Sequence, residues 1–336
     1  MTVTVYGGGS WGTALAHALA CGGHGTRLLV RDATVAEAVN ERHENPRYLP
    51  GLRLHADVLA VTDPSVLAES DVWVLAVPCQ SQRAALEDVR RLLRPSTVVV
   101  NASKGIELNS LKPMSEVAAE GLGRPGHFER RYAVLSGPSF AREVVECKPT
   151  AVVLGCADET LGASLRDLFA TTWFRSYSST DVRGVELGGA VKNVIAIAVG
   201  VAYGLGYGDN TAAMLMTRGL AEMSRLTVKC GGQAITCMGL AGAGDLIATC
   251  TSEHSRNRSF GVELAQGGTL EAYRERTHMV VEGALACKTL KTLSEAYDVE
   301  LPITDVVRGV VWEGADPKAA AKELFARPLT TEFYGL

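Results

Sequence analysis

The stretch TVTVYGGGSWGTALAHALACGG, Thr2–Gly23, decides how the first half of this chain is read. Val3, Val5 and Tyr6 make a short β-rich run, three glycines follow, and Ser10 to about Ala20 has the composition of a helix. Within the turn, Gly7, Gly9 and Gly12 form the spacing G-x-G-x-x-G. Alone that spacing says little, but between a strand and a helix it is the fingerprint of a dinucleotide-binding turn. Gly7 permits the tight turn, Gly9 lets the backbone approach a pyrophosphate, and Gly12 lets helix and strand pack closely. The helix start then presents unbonded N–H groups and a positive dipole end to phosphate.

Downstream, TRLLVRD (Thr26–Asp32) reads as the second strand. At its end an acid would bind the ribose 2′-hydroxyl of NADH, whereas an arginine would meet the 2′-phosphate of NADPH. Both types are present, as Arg31 and Asp32, and Asp32 is equally suited to cap the helix ATVAEAVNERH. NADPH with Arg31 on the 2′-phosphate is favoured, and NADH stays open. After a proline-containing loop, Asn45–Asp63 ends in a short strand, and DVWVLAVPCQ (Asp71–Gln80) supplies a buried one. Val98–Val100 runs into Asn101, Ser103 and Lys104 at the carboxyl edge where ligands sit in open α/β sheets. RYAVLSGPSFAREV (Arg131–Val144), TAVVLG (Thr150–Gly155) and FRSYSS (Phe174–Ser179) continue the pattern. Strands alternating with helices predict an α/β Rossmann-like domain, residues 1–180, with a mostly parallel sheet and helices on both faces.

After Asp181 only helical patterns follow, predicting an all-α domain over residues 181–336. Its first element, DVRGVELGGAVKNVIAIAVGVAYGLG (Asp181–Gly206), is apolar on nearly every side. Such a helix is either a core element or a membrane span. The uninterrupted run Val194–Leu205 is about a dozen residues, short of the roughly 20 a span needs, so it reads as core. Lys192 within it either snorkels to the surface or projects an ammonium into a cleft.

Of 336 residues, 47% are hydrophobic and 21% charged, and the net charge is −4, which disfavours a nucleic-acid binder. The start lacks a basic segment followed by an apolar one, so neither a signal peptide nor a stable membrane span is expected. Eight cysteines contain no C-x-x-C pair and read as reduced thiols of a cytoplasmic protein without a metal site. The seven histidines carry no motif and read as surface residues.

Seven segments, in order and spacing, carry a resemblance: GGGSWGTALA, ASKGIE, SGPSFAREV, ELGGAVKNVIAIAVG, GYGDNTAAMLMTRGL, GLAGAGDLIATCTSEHSRNRSFG and VVEG. Together they resemble the NAD(P)-dependent glycerol-3-phosphate dehydrogenases of the soluble bacterial type over nearly the whole chain. Cys79 stands where a small hydroxyl residue is expected. Ser259 replaces a basic residue, which weakens a positive patch near the cofactor phosphate. The resemblance implies reversible reduction of dihydroxyacetone phosphate to sn-glycerol 3-phosphate, supplying glycerophospholipid synthesis, in a cytoplasmic homodimer. It implies Lys192 as the catalytic acid and base. Substrate contacts are implied for Lys104, Gly137, Ser139, Lys192, Asp245, Ser255, Arg256 and Asn257, with Arg256 suited to bidentate phosphate binding. On the cofactor side it adds Ser10, Trp11, Arg31, Lys104, Ala141, Arg256, Val280 and Glu282 to the glycines. Asp245 would orient Lys192 or bind a substrate hydroxyl, unless it merely caps the helix beginning at Leu246. Lys192 is expected to work with Lys104 and Asp245 across a cleft between the domains.

Two other readings compete. A 6-phosphogluconate or hydroxyacid-type dehydrogenase would share a Rossmann domain and a catalytic lysine, but not the S-R-N segment (Ser255–Asn257). A non-catalytic NADPH-binding regulator would need the glycine turn but not Lys192, Asp245 and Arg256 together.

Overall fold

The structure is a computed structural model that describes residues 1–124, 128–277, 280–332 and 335. Met279, just before the VVEG segment, and three residues near the C-terminus therefore lie outside the described residues. The chain divides into two compact units, one of 1–104 with 112–182, the other of 105–111 with 183–336.

The first unit is built on eight strands: β1 (Thr2–Tyr6), β2 (Gly25–Leu29), β3 (Val58–Val61), β4 (Val72–Leu75), β5 (Val98–Asn101), β6 (Tyr132–Ser136), β7 (Thr150–Gly155) and β8 (Phe174–Ser179). They form one sheet in the order 3-2-1-4-5-6-7-8. The interior strands VWVL and YAVLS are buried at every residue, as strands covered on both faces require. Every pairing is parallel except β6 with β7. The connection there contains only the five-residue helix Ala141–Val145, about 7.5 Å long, too short to carry the chain back along a strand. The second strand stops at Leu29 rather than reaching Asp32, because Asp32 is already the N-cap of the helix Ala33–Arg42.

Among the helices on this sheet two groups pack together, while Ala33–Arg42 lies against β3. Ser10–Cys21, Ala141–Val145 and Glu159–Phe169 pack on one another over the larger apolar cluster, while Gln82–Val89 packs with Met114–Gly121. Cys79, Met114 and Val117 form a smaller apolar cluster of their own.

The second unit is helical and is threaded by Val182–Gly204, buried at every residue from Gly184 to Gly200. At 23 residues this helix is long and apolar enough to cross a membrane, so the shortness of its apolar run does not exclude a span. What marks it as a core element is that 94% of its most apolar window is buried inside the protein. A second apolar stretch, Ala234–Thr251, passes the same test of length and composition. It is interrupted by a π-helical turn at Leu240–Gly244. Around the core helix stand Asp209–Lys229, Asp245–Thr251, Arg256–Ala265, Leu270–Thr277, Glu282–Ala296, Pro302–Trp312 and Pro317–Phe325. Pro302 and Pro317 sit in the first turns of the last two, where their missing N–H costs nothing. The buried carboxylate of Glu222 accepts the N–H groups of Ile303 (2.6 Å) and Thr304 (3.4 Å), satisfying the start of the Pro302 helix. The segment 105–111 contributes Ile106 to this unit's apolar core.

Candidate active site

In the sheet unit, β1 lies where the strand order reverses direction, and its carboxyl end runs into the glycine turn. Such a reversal opens a crevice for a ligand. Gly7 has φ of +125°, and a β-carbon there would lie 2.6 Å from the carbonyl oxygen of Ala76. A β-carbon on Gly12 would come within 1.9 Å of the carbonyl oxygen of Gly7. Both positions therefore exclude a side chain, for turn and packing respectively. Gly9 differs: a β-carbon there would meet nothing within 4 Å, so the space above it is open. Gly9 is also the N-cap of Ser10–Cys21, with no side chain bonded to the cap and no acid in the first turn. The indole nitrogen of Trp11 is buried without a partner among the described residues, while its ring packs on the apolar cluster. An open cradle and free helix N–H groups fit a dinucleotide pyrophosphate. The Ser10 hydroxyl, by contrast, is spent on the carbonyl of Tyr48 at 3.0 Å.

Arg31 and Asp32 separate clearly. Asp32 accepts the N–H (3.0 Å) and hydroxyl (2.7 Å) of Thr34 on one oxygen and Arg47 (3.1 Å) on the other. The Thr34 bonds, with help from Arg47, hold its carboxyl below the usual carboxylate range. Arg31 is exposed and makes no hydrogen bond or ion pair among the described residues.

At the carboxyl ends of β5 and β6, Lys104 and Ser139 meet at one atom. The Lys104 ammonium donates to the carbonyl of Gly137 at 3.2 Å, and the Ser139 hydroxyl to the same oxygen at 3.0 Å. Gly137 needs to be glycine, having φ of +133°, and a β-carbon there would lie 3.0 Å from the α-carbon of Val152. Ala141 opens the next helix two residues on from Ser139 and packs against the apolar cluster.

In the helical unit, Lys192 is 8% exposed and Asp245 3%. Its ammonium lies 3.0 Å from a carboxylate oxygen of Asp245 and 2.8 Å from the hydroxyl of Thr249. That hydroxyl donates its own proton to the backbone carbonyl of Asp245 at 2.6 Å, so toward Lys192 it can only accept. Two of the three ammonium N–H bonds are thus fixed. Snorkelling is excluded by the burial. Asp245 is not a helix cap: Gly244 before it is already helical, and its carboxylate turns inward to Lys192. The two elements come together because Gly188, one turn before Lys192, has no side chain. A β-carbon there would lie 2.8 Å from the carbonyl oxygen of Ala241 in the π-helical turn. Such turns recur at functional sites.

A second buried chain of bonds adjoins Lys192 in sequence. Asn193 donates to Glu282 (3.1 Å) and accepts from Asn257 (2.9 Å), whose own oxygen accepts the N–H of Gly283 (2.9 Å). Asn257 and Glu282, expected on different ligands, are therefore one network, with Asn193 as its link. Ser255 is buried and its hydroxyl caps the helix Arg256–Ala265 by accepting the N–H of Arg258 at 3.3 Å. Arg256, the first residue of that helix, is exposed, and Val280 is 47% exposed. Thr249 and Asn193 were not among the expected site residues. Thr249 follows Asp245 by four residues, a spacing that puts both on one helix face, and that spacing was the available signal.

Comparison with known proteins gives a consistent result. Residues 2–162 match the family described as NAD-dependent glycerol-3-phosphate dehydrogenase N-terminus, and 181–322 the corresponding C-terminus. The chain is 51% identical to a glycerol-3-phosphate dehydrogenase, NAD(P)+, of Nitratidesulfovibrio vulgaris, covering 99% of this chain and 100% of that one. It is 46% identical to the protein of the same description from Thermobifida fusca, covering 99% of each. Its fold matches the crystal structure of glycerol-3-phosphate dehydrogenase from Coxiella burnetii with a TM-score of 0.90 at 35% identity, covering 97% of this chain and 99% of that one. The glycine cradle and the buried lysine thus sit in a chain that belongs to the NAD-dependent glycerol-3-phosphate dehydrogenase family.

Proposed function

We propose that Lys192 is the general acid with which this oxidoreductase reduces dihydroxyacetone phosphate to sn-glycerol 3-phosphate, and the base in the reverse direction. The carrying observation is the buried ammonium held between Asp245 and Thr249. A proton donor must keep its reach, and two fixed bonds on a core helix give Lys192 that constancy. Its third N–H is the one available to the oxygen at C2 of the substrate. When bound, NADH or NADPH supplies the hydride to C2. The chain's part is to hold the pyrophosphate at Gly7–Gly12, with Trp11 beside it, and the substrate phosphate at Arg256 and Asn257. Lys104, Gly137 and Ser139 are assigned substrate contacts on the family resemblance alone.

Asp32 is committed to Thr34 and Arg47 while Arg31 is exposed, which supports NADPH over NADH. Residues 1–180 and 181–336 are taken as the cofactor and substrate domains of a cytoplasmic homodimer supplying glycerol phosphate to glycerophospholipid synthesis. The test is Lys192→Ala assayed with dihydroxyacetone phosphate. Turnover is expected to fall on the order of 10²- to 10⁴-fold with NADPH binding retained. Near-normal turnover would remove Lys192 from the mechanism.

A further inference from the structure

Away from the active-site residues, three groups converge in the sheet unit. His17 is 5% exposed, a buried histidine where a surface one was expected. Its Nε2 lies 3.5 Å from the sulfur of Cys21 and 3.6 Å from that of Cys147. All three atoms are within 4.8 Å of one another. Cys21 ends the helix that begins at the glycine cradle, and Cys147 follows the Ala141–Val145 helix in a left-handed conformation (φ 55°) ordinarily left to glycine.

Two soft sulfurs and an imidazole suggest a thiophilic metal, but the ring's other nitrogen argues against one. Nδ1 of His17 accepts the backbone N–H of His55 at 2.9 Å. A neutral ring accepting at Nδ1 carries its proton on Nε2. Burial, with His55 nearby, pushes the ring's pKa down to about 4, so it is neutral at pH 7. Nε2 therefore presents N–H to the sulfurs, whereas a metal would need its lone pair and would want Nδ1–H donating outward.

We propose that Cys21 and Cys147 are a dithiol oxidation site, closing to a reversible disulfide beside His17. Cys147 is the exposed member, and among the eight cysteines the others are buried or half-buried. Cys147 thiolate attacks one sulfur of a low-molecular-mass disulfide, a new S–S bond forms, and one reagent thiolate leaves. Cys21, having lost its proton to solvent, then attacks the Cys147 sulfur and the second reagent thiolate departs. The protein thiols give up two electrons and two protons, and the reagent's disulfide is reduced to two thiols. The His17 N–H stabilises the negative sulfur at both stages. Burial, then the neighbouring Cys147, raise the Cys21 thiol to about 11, so its attack is the slow step.

The test exposes the reduced, full-length protein to oxidised glutathione, quenches with acid, and maps the cysteines by peptide mass spectrometry. The expected product is a Cys21–Cys147 cross-linked peptide pair, closing about tenfold faster per pH unit between pH 7 and 9. In Cys21→Ser, Cys147 should stop as the glutathione mixed disulfide. The proposal falls if the unaltered protein stops at that mixed disulfide, or if Cys147 pairs with another cysteine. Stoichiometric Zn²⁺ retained by the reduced protein and lost in Cys147→Ser would likewise overturn it in favour of a metal centre.

Discussion

The ammonium of Lys104 rests on the carbonyl oxygen of Gly137, 3.2 Å away, at the edge where β5 and β6 end. As a substrate contact implied by the family resemblance, Lys104 would give a phosphorylated substrate a charge-assisted bond, stronger than the bond it gives a neutral carbonyl. Lys104→Met keeps the stem and deletes the charge. A charge-assisted bond is worth about 1.5–3 kcal/mol, so kcat/KM should fall roughly 10- to 150-fold, carried by the KM for dihydroxyacetone phosphate. Steady-state kinetics check this, and an unmoved KM would take Lys104 out of substrate binding.

Thr249 holds the far side of Lys192. Thr249→Val deletes the acceptor while keeping the shape, leaving a buried N–H unsatisfied at a cost of about 1–3 kcal/mol in stability. We expect kcat to drop about tenfold or more while NADPH affinity is unchanged, and Thr249→Ser to restore most of it. Failure of serine to rescue would mean the methyl group's packing, not the hydroxyl, is what matters.

Arg31 and Asp32 make opposite predictions for the two cofactors. Arg31→Ala should raise the KM for NADPH at least about tenfold more than that for NADH, since only the former carries the 2′-phosphate. Asp32→Ala should lower the melting temperature by removing a helix cap yet leave the NADH constant in place. A marked rise in the NADH constant in Asp32→Ala would return that carboxylate to the ribose.

Glu222 makes stability depend on pH. Full burial outweighs its bonds to Ile303 and Thr304 and lifts the carboxyl from its ordinary 4.5 to about 7. Between those values the folded chain holds a proton that the unfolded chain has released. The contribution is therefore complete below about pH 4.5 and is lost as pH rises to about 7, amounting to on the order of 3 kcal/mol. Denaturant unfolding of Glu222→Gln should lose this slope across pH 5 to 7. An unchanged slope would assign it to other groups.

What was legible in the sequence was whatever a local pattern encodes. The eight strands, the glycine cradle and the core helix each announce themselves within a window of a few residues. Lys192 was visible as a charge in an apolar run. The reversal of β7 was not, because an alternating buried strand looks the same in either direction. Thr249 showed only its four-residue spacing from Asp245, with Lys192 far away in the chain, and Cys147 meets His17 and Cys21 only when two helices pack. Asp32 shows a third kind of limit. Its two readings were both present in the residues, and only the positions of Thr34 and Arg47 decide how its oxygens are used.

The membership of 105–111 in the helical unit bears on how the protein can be dissected. The backbone passes from one unit to the other three times, at 104/105, 111/112 and 182/183. A single cut near residue 182 therefore cannot yield an intact helical fragment. It strands Ile106 on the wrong piece and leaves its seat in the apolar core open to water. Expression of 183–336 alone should give a loosened, dye-binding product, and adding the 105–111 peptide covalently should tighten it. For this fold the gene's linear order and the unit of packing are different partitions of the same chain.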